Sequence, residues 1–145
     1  MNNQQALILK EVQRSLVLDE RPIPQSEGNQ VLVRIIATGI NPHDQKKYLP
    51  YAILTNDISG IVEKIGPEAQ RFSIGDRIFG QWHILSGGPD QAGLQQFCIL
   101  DADSAAPISS HHSFGQAVMF PINAIASFIA LFDPSGSGLT PIFLG

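Results

Sequence analysis

The stretch between residues 57 and 80 carries glycine at spacings that few folds accept. It reads D-x-S-G-x-V-x-x-x-G over 57–66 and F-x-x-G-D-R-I-x-G over 72–80. Each half is a short run rich in Ile and Val bounded by glycine, which is the pattern of a strand. Gly66-Pro67 and the Ser73–Asp76 segment punctuate turns between them, because Gly supplies positive φ and Pro fixes φ near its turn value. Gly60 falls inside the first strand. A missing side chain there signals a bulge or the close approach of another backbone.

The flanking segments repeat this grammar. Residues 6–9 and 16–19 are short strand candidates, paired as a hairpin across 10–15, and the link 21–28 holds Pro22 and Pro24, which deny ladder donors. Residues 30–37 give the longest strand signal, β-branched and only partly alternating, so burial over most of its surface is expected. At 41–48 Asn41 as cap and Pro42 at a first helical position open a short helix through Tyr48. A Gly-rich loop at 86–93 precedes a further strand at 94–100. Many short strands separated by Gly/Pro turns predict a mainly β chain with short helices, most simply a partly open β-barrel.

The character changes after Pro107. Ser109 or Ser110 can cap a helix, and residues 117–132 are apolar nearly all round. Pro121 and Asn123 inside a run of that length argue against a membrane span, which needs ~18 apolar residues. A helix without a polar face is one buried on all sides. The tail 133–138 breaks structure, and 140–145 ends on an apolar run, as in a chain cut short.

Composition excludes several functions. With 145 residues the chain suffices for one domain with a core. Its net charge of −4 gives no electrostatic reason to bind nucleic acid or an anionic membrane. A single cysteine, Cys98, rules out an internal disulfide and a multi-cysteine zinc lobe and fits a reducing compartment. The N-terminus has neither a basic nor an apolar leader segment, so a soluble, cytoplasmic protein is expected. Cys98 lies in an apolar strand and reads as a small core residue. His43, His83, His111 and His112 fit no standard ligand spacing, and adjacent His111 and His112 face different ways at a helix start.

The 57–80 pattern, together with Asn41-Pro42-His43-Asp44-Gln45-Lys46, resembles the GroES-like catalytic domain of medium-chain dehydrogenase/reductases, in the zinc-independent branch of quinone and enoyl reductases. The resemblance implies a GroES-like domain over 1–108, an interdomain helical segment over 109–133 and a linker over 134–145 toward a nucleotide-binding Rossmann domain. No G-x-G-x-x-G run follows a strand in these 145 residues. Zinc members offer a cysteine ligand at the position of Asn41 and a His-Glu pair at Asn56 and Asp57. Amides there remove the soft and nitrogen ligands of a catalytic zinc, so no metal is expected.

In that family NADPH delivers hydride to an activated double bond or a quinone, and the protein supplies a donor for the oxygen that gains charge. The resemblance puts Lys46 in that role and gives the Asn41, Pro42 and Asp44 segment contacts to the cofactor; Tyr48 is a further catalytic candidate on its residue type alone. Composition alone would equally make Asn41-Pro42 a plain helix start and Lys46 a solvated charge. Tyr48 and Tyr51 could donate into the cleft or pack over the barrel mouth. Two departures stand out: Ala126, followed by Ser127, occupies the usual Thr position of the proline-initiated helix, and Thr55 replaces the usual Gly before Asn56-Asp57. The expected function is that of the substrate-side domain of an NADPH-dependent reductase acting on a small conjugated carbonyl or quinone. The alternative is a non-catalytic remnant used for binding or scaffolding. Self-association through the apolar helix is expected of the isolated chain.

Overall fold

Strand β5 (Asp57–Ile65) lies at the centre of an antiparallel five-stranded sheet. A computed structural model describes residues 2–10, 15–44, 51–82 and 88–141. Taking the remaining strands in chain order, β1 (Asn3–Leu9), β2 (Leu16–Pro22) and β4 (Ala52–Ile53) make a small sheet ordered β2-β1-β4. Strands β3 (Gln30–Gly39), β6 (Arg77–Gln81), β7 (Phe97–Asp101) and β8 (Ala105–Pro107) join β5 in the order β7-β3-β5-β6-β8. The two sheets do not close into a ring. They meet at the Ala6–Gln95 bridge and at the Leu7 N–H donating to the Leu94 carbonyl, 2.9 Å away. Buried Gln4 reinforces the seam, since its Oε1 accepts the Phe97 N–H at 2.7 Å and its Nε2 donates to Gln95 Oε1 at 3.2 Å. This is the partly open, mainly β architecture that the turn pattern implied.

The expected hairpin forms, with β1 and β2 paired from Asn3–Pro22 to Leu9–Leu16. Gly60 satisfies both readings of a strand glycine. A Cβ there would stand 2.2 Å from the Arg34 carbonyl oxygen, and the β3–β5 register shifts between Ile35 and Ala37, directly opposite. Val31, Val33, Ile58, Val62, Ile78, Cys98 and Leu100 fill the space enclosed by the sheet, with Phe72 and Trp82 at its rim. Each large side chain so buried contributes ~1.5–3 kcal/mol. Only the first half of β3 is buried as expected; past Arg34 it opens to solvent, with Ile36 exposed. Strand β7 starts at Phe97 rather than at residue 94, because Leu94 and Gln95 are used in the seam between sheets.

The apolar C-terminal run is two helices instead of one. Helix α1 (Phe114–Ala117) is capped by Ser113, whose hydroxyl accepts the Gln116 N–H while Gln116 Oε1 accepts the Ser113 N–H. The cap is therefore Ser113 and not Ser109 or Ser110. This reciprocal pair was readable as S-x-x-Q. Helix α2 (Pro121–Phe132) begins afresh with proline at its first position, where a missing N–H costs nothing. The stretch Phe114–Phe132, 19 residues at a mean hydropathy of 1.6, is long and apolar enough to cross a membrane by length and composition. It is broken at 118–120, however, and its first turn is fastened to the sheet by Ser59 Oγ donating to the Phe114 carbonyl at 2.9 Å. Phe120, just before α2, meets Phe79 of β6 with ring centroids 6.4 Å apart, and α2 exposes Ile125, Phe128, Ile129 and Leu131. A chain this short has little with which to bury a helix apolar all round, and the exposure of Phe120, Phe128 and Ile129 is the outcome expected of it.

Candidate functional site

Where β3 ends at Gly39, the chain turns through residues 40–44 above the start of β5, and polar side chains converge there. Asn41, Pro42 and His43 are partly or fully exposed, whereas Asp44, Thr55, Asn56 and Asp57 are buried. A buried carboxylate must be matched by donors, and both carboxylates are. Asp44 accepts the Asn41 N–H through Oδ2 and the Thr55 N–H through Oδ1, each at 2.8 Å. Asp57 accepts the Asn41 Nδ2–H at 2.7 Å and the Ile122 N–H of α2 at 3.0 Å.

Asn41 thus plays a part that differs from the expected helix cap. Its side chain is directed to Asp57, and the Asp44 carboxylate receives its backbone N–H, which makes a tight turn with Asp44 N–H donating to the Asn41 carbonyl at 3.0 Å. The remainder of the expected helix, with Lys46 and Tyr48, lies outside the described residues. His43 Nε2 stands 3.2 Å from Asn56 Oδ1 and 3.7 Å from Asp44 Oδ1, so the ring joins the cluster from its solvent side. Tyr51 is exposed and does not pack over the barrel mouth.

Thr55 holds a φ of 69° while fully buried, a backbone state that β-branched residues rarely adopt. Its surroundings fix it there. The Thr55 Oγ1 is 2.5 Å from Thr38 Oγ1, and its carbonyl accepts the Trp82 Nε1–H at 3.0 Å and the Gly93 N–H at 3.1 Å. The glycine expected at this position is replaced at the expense of strain, and the strain sits next to Asn56 and Asp57.

Burial pushes the Asp57 carboxyl above the ordinary carboxylate value, aided by the nearby Asp44 charge; the Asn41 amide, the Ile122 N–H and His43 pull in the other direction without cancelling it. Burial also pushes the Cys98 thiol far up, which fits a core residue and not a nucleophile. His111 and His112 are exposed and belong to the turn before α1, not to a helix start. His83 is outside the described residues. Ala126 and Ser127 lie on the exposed part of α2.

The donor set does not suit zinc. Among the described residues no three His, Cys, Asp or Glu side chains are grouped to hold a metal ion. At the two positions that would carry thiolate and imidazole stand the amides Asn41 and Asn56, and the Asp57 carboxylate is already engaged by Asn41 and Ile122. The Asp57–Ile122 contact had no signal in the sequence, because it joins residues 65 positions apart and no local pattern announces it.

Two open sheets, a polar turn above the start of their central strand and a following proline-initiated helix define the GroES-like domain of an alcohol dehydrogenase-type oxidoreductase. Residues 27–127 match the alcohol dehydrogenase GroES-like domain, and the chain belongs to that family. The chain is 30% identical to dehydrogenase mokE of Monascus pilosus over 89% of its length and 37% of that protein. It is also 30% identical to lovC, the enoyl reductase component of the lovastatin nonaketide synthase of Aspergillus terreus, over 88% of its length and 37% of that protein. Among solved structures, an alcohol dehydrogenase superfamily protein from Novosphingobium aromaticivorans superposes with a TM-score of 0.83 at 31% identity, over 94% of this chain and 43% of that one. The chain therefore spans about two fifths of the length of the proteins it matches.

Proposed function

We propose that this chain is the substrate-side domain of a zinc-independent, NADPH-dependent reductase of activated C=C bonds or quinones. The observation that carries the reading is the Asn41–Asp57 hydrogen bond. It closes with an amide and a carboxylate the corner where a zinc enzyme needs an open metal. The similarity to an enoyl reductase component supports a substrate with an activated C=C bond; a quinone remains part of the reading through the family resemblance. The single cysteine and the net charge of −4 favour a cytoplasmic enzyme with no nucleic-acid or membrane partner.

The chemistry NADPH would supply when bound is a hydride for the β-carbon of the conjugated system. In this reading Lys46 is the donor to the substrate oxygen on which charge collects, and Tyr48 is a second proton donor. Asn41 and Pro42 form the cofactor-facing wall, and Asp44 fixes that wall from beneath through the Asn41 and Thr55 N–H groups. Residues 1–108 make the GroES-like domain, 109–133 the segment between domains and 134–145 the linker to a nucleotide-binding domain, supplied by further chain or by a partner.

The test joins the chain to such a domain, from its own gene or grafted from a relative, and follows NADPH consumption with an enone and a quinone. Turnover that survives chelator washing, with Lys46→Met losing about 10²–10³ in kcat, supports the assignment. One zinc per chain by elemental analysis, or activity restored by zinc alone, refutes it. A folded, inactive chain that binds no NADPH in the joined form points to the remnant instead.

A further inference from the structure

Helix α2 has no cap of its own. Phe120 occupies the cap position with no side-chain hydrogen bond, and Pro121 follows it, so the Ile122 N–H is the first donor of the helix left to satisfy. The acceptor comes from elsewhere in the chain. Asp57, at the start of β5 and 2% exposed, takes the Ile122 N–H on Oδ1 and the Asn41 Nδ2–H on Oδ2. Its backbone carbonyl also accepts from Thr38 Oγ1 at 2.8 Å, which holds the residue against β3. Gly39 makes room for this. A Cβ there would lie 3.1 Å from Asp57 Cβ, 3.5 Å from Asp57 Oδ2 and 3.4 Å from the Val118 carbonyl.

The geometry points to Asp57 as a positioning residue that binds the turn at 41–44 and the first turn of α2 into one unit. One carboxylate has one orientation, so both donors are satisfied only when the turn and the helix are seated together. An interaction that reorients α2 is therefore transmitted to Asn41. That Asn41 faces cofactor rests on the reductase reading; the link itself does not.

An exchange of partners tests it. In Asp57→Asn the amide presents a donor to one of two donors, so one link is lost whichever way it turns. In Asn41→Asp with Asp57→Asn, the new amide at 57 donates to the new carboxylate at 41 and still accepts from Ile122, which restores both links, the one to residue 41 with reversed direction and the one to Ile122 unchanged. On the 145-residue chain, hydrogen exchange at the Ile122 amide and the side-chain amide resonances at 41 or 57 read the two links. Asp57→Asn is expected to speed Ile122 exchange or release the Asn41 amide by at least about ten-fold, the size expected of a hydrogen bond to a charged group. The double variant is expected to return to the wild-type value. If Asp57→Asn does not fold, a folded double variant with a protected Ile122 supports the link equally well. A double variant no better than the single, or a single indistinguishable from wild type, overturns the proposal. In the joined reductase Asp57→Asn is expected to raise KM for NADPH about ten-fold more than it lowers kcat, with recovery in the double variant. A wild-type reductase without activity sinks the reductase reading alone, since the exchange experiment stands apart from turnover.

Discussion

The exposed face of α2 gives the most quantitative expectation for the isolated chain. Ile125 is 44% exposed, Phe128 49%, Ile129 49% and Leu131 44%. Full burial of such a side chain is worth ~1.5–3 kcal/mol, so a surface that covered these halves would recover about 3–6 kcal/mol. At about 1.4 kcal/mol per decade that is about 10²–10⁴ in association, before the cost of immobilising two bodies. The isolated chain is therefore expected to self-associate only toward about millimolar concentration and to bind a hydrophobic dye. Replacing Ile125 by Glu and Ile129 by Lys places an (i, i+4) pair in the favoured order on the same face and removes about half of the available gain. Sedimentation velocity and dye fluorescence should show a monomeric, dye-silent variant. Its thermal midpoint should stay within a few degrees of wild type, since neither residue belongs to the core. A wild-type chain that is monomeric and dye-silent refutes the reasoning. So does a variant that unfolds, because α2 would then be part of the core.

Three further outcomes follow from the sheet and the buried groups. Gly60→Ala sets a Cβ against the Arg34 backbone and should cost at least about 3 kcal/mol in urea unfolding, since backbone cannot yield as a side chain does; an unchanged midpoint would contradict it. Cys98 should resist a thiol reagent in the folded chain and react on unfolding, and stoichiometric labelling of the native protein would contradict its core placement. Asp57, with its carboxyl held above the ordinary value, stabilises most below the unfolded-state pKa and loses that contribution as pH rises through the folded value. Asp57→Asn should flatten that fall in stability, whereas exposed Asp19, held low by contact with Lys10, acts with the opposite sign at lower pH.

What the sequence announced was whatever rests on local rules. Apolar runs at 6–9 and 16–19 announced the hairpin, and glycine and proline spacing the central strand pair and the strand glycine at 60, because φ preference and close backbone approach are properties of single residues. The apolar run at 117–132 is visible, with Pro121 marking a helix start, but the break at 118–120 and the separate turn capped by Ser113 are not read from the apolar pattern. Asn41 showed itself as a residue of interest and misled about its partner. A cap and a tertiary hydrogen bond draw on the same amide, and only the folded position of Asp57 decides between them. Thr55 in a left-handed conformation was beyond sequence reading for the same reason. Its strain is held by Thr38, Trp82 and Gly93, residues that come from three separate parts of the chain.

The central claim, hydride addition to a conjugated carbon without zinc, is most directly tested by isotope transfer. The chain joined to its nucleotide-binding domain is given a conjugated enone and NADPH bearing deuterium at the transferable C4 position, in ordinary water and after chelator treatment. Mass spectrometry and NMR locate the label in the product. The account predicts one deuterium at the β-carbon of a saturated ketone. Deuterium at the carbonyl carbon of an alcohol, formed only when zinc is restored, would contradict it.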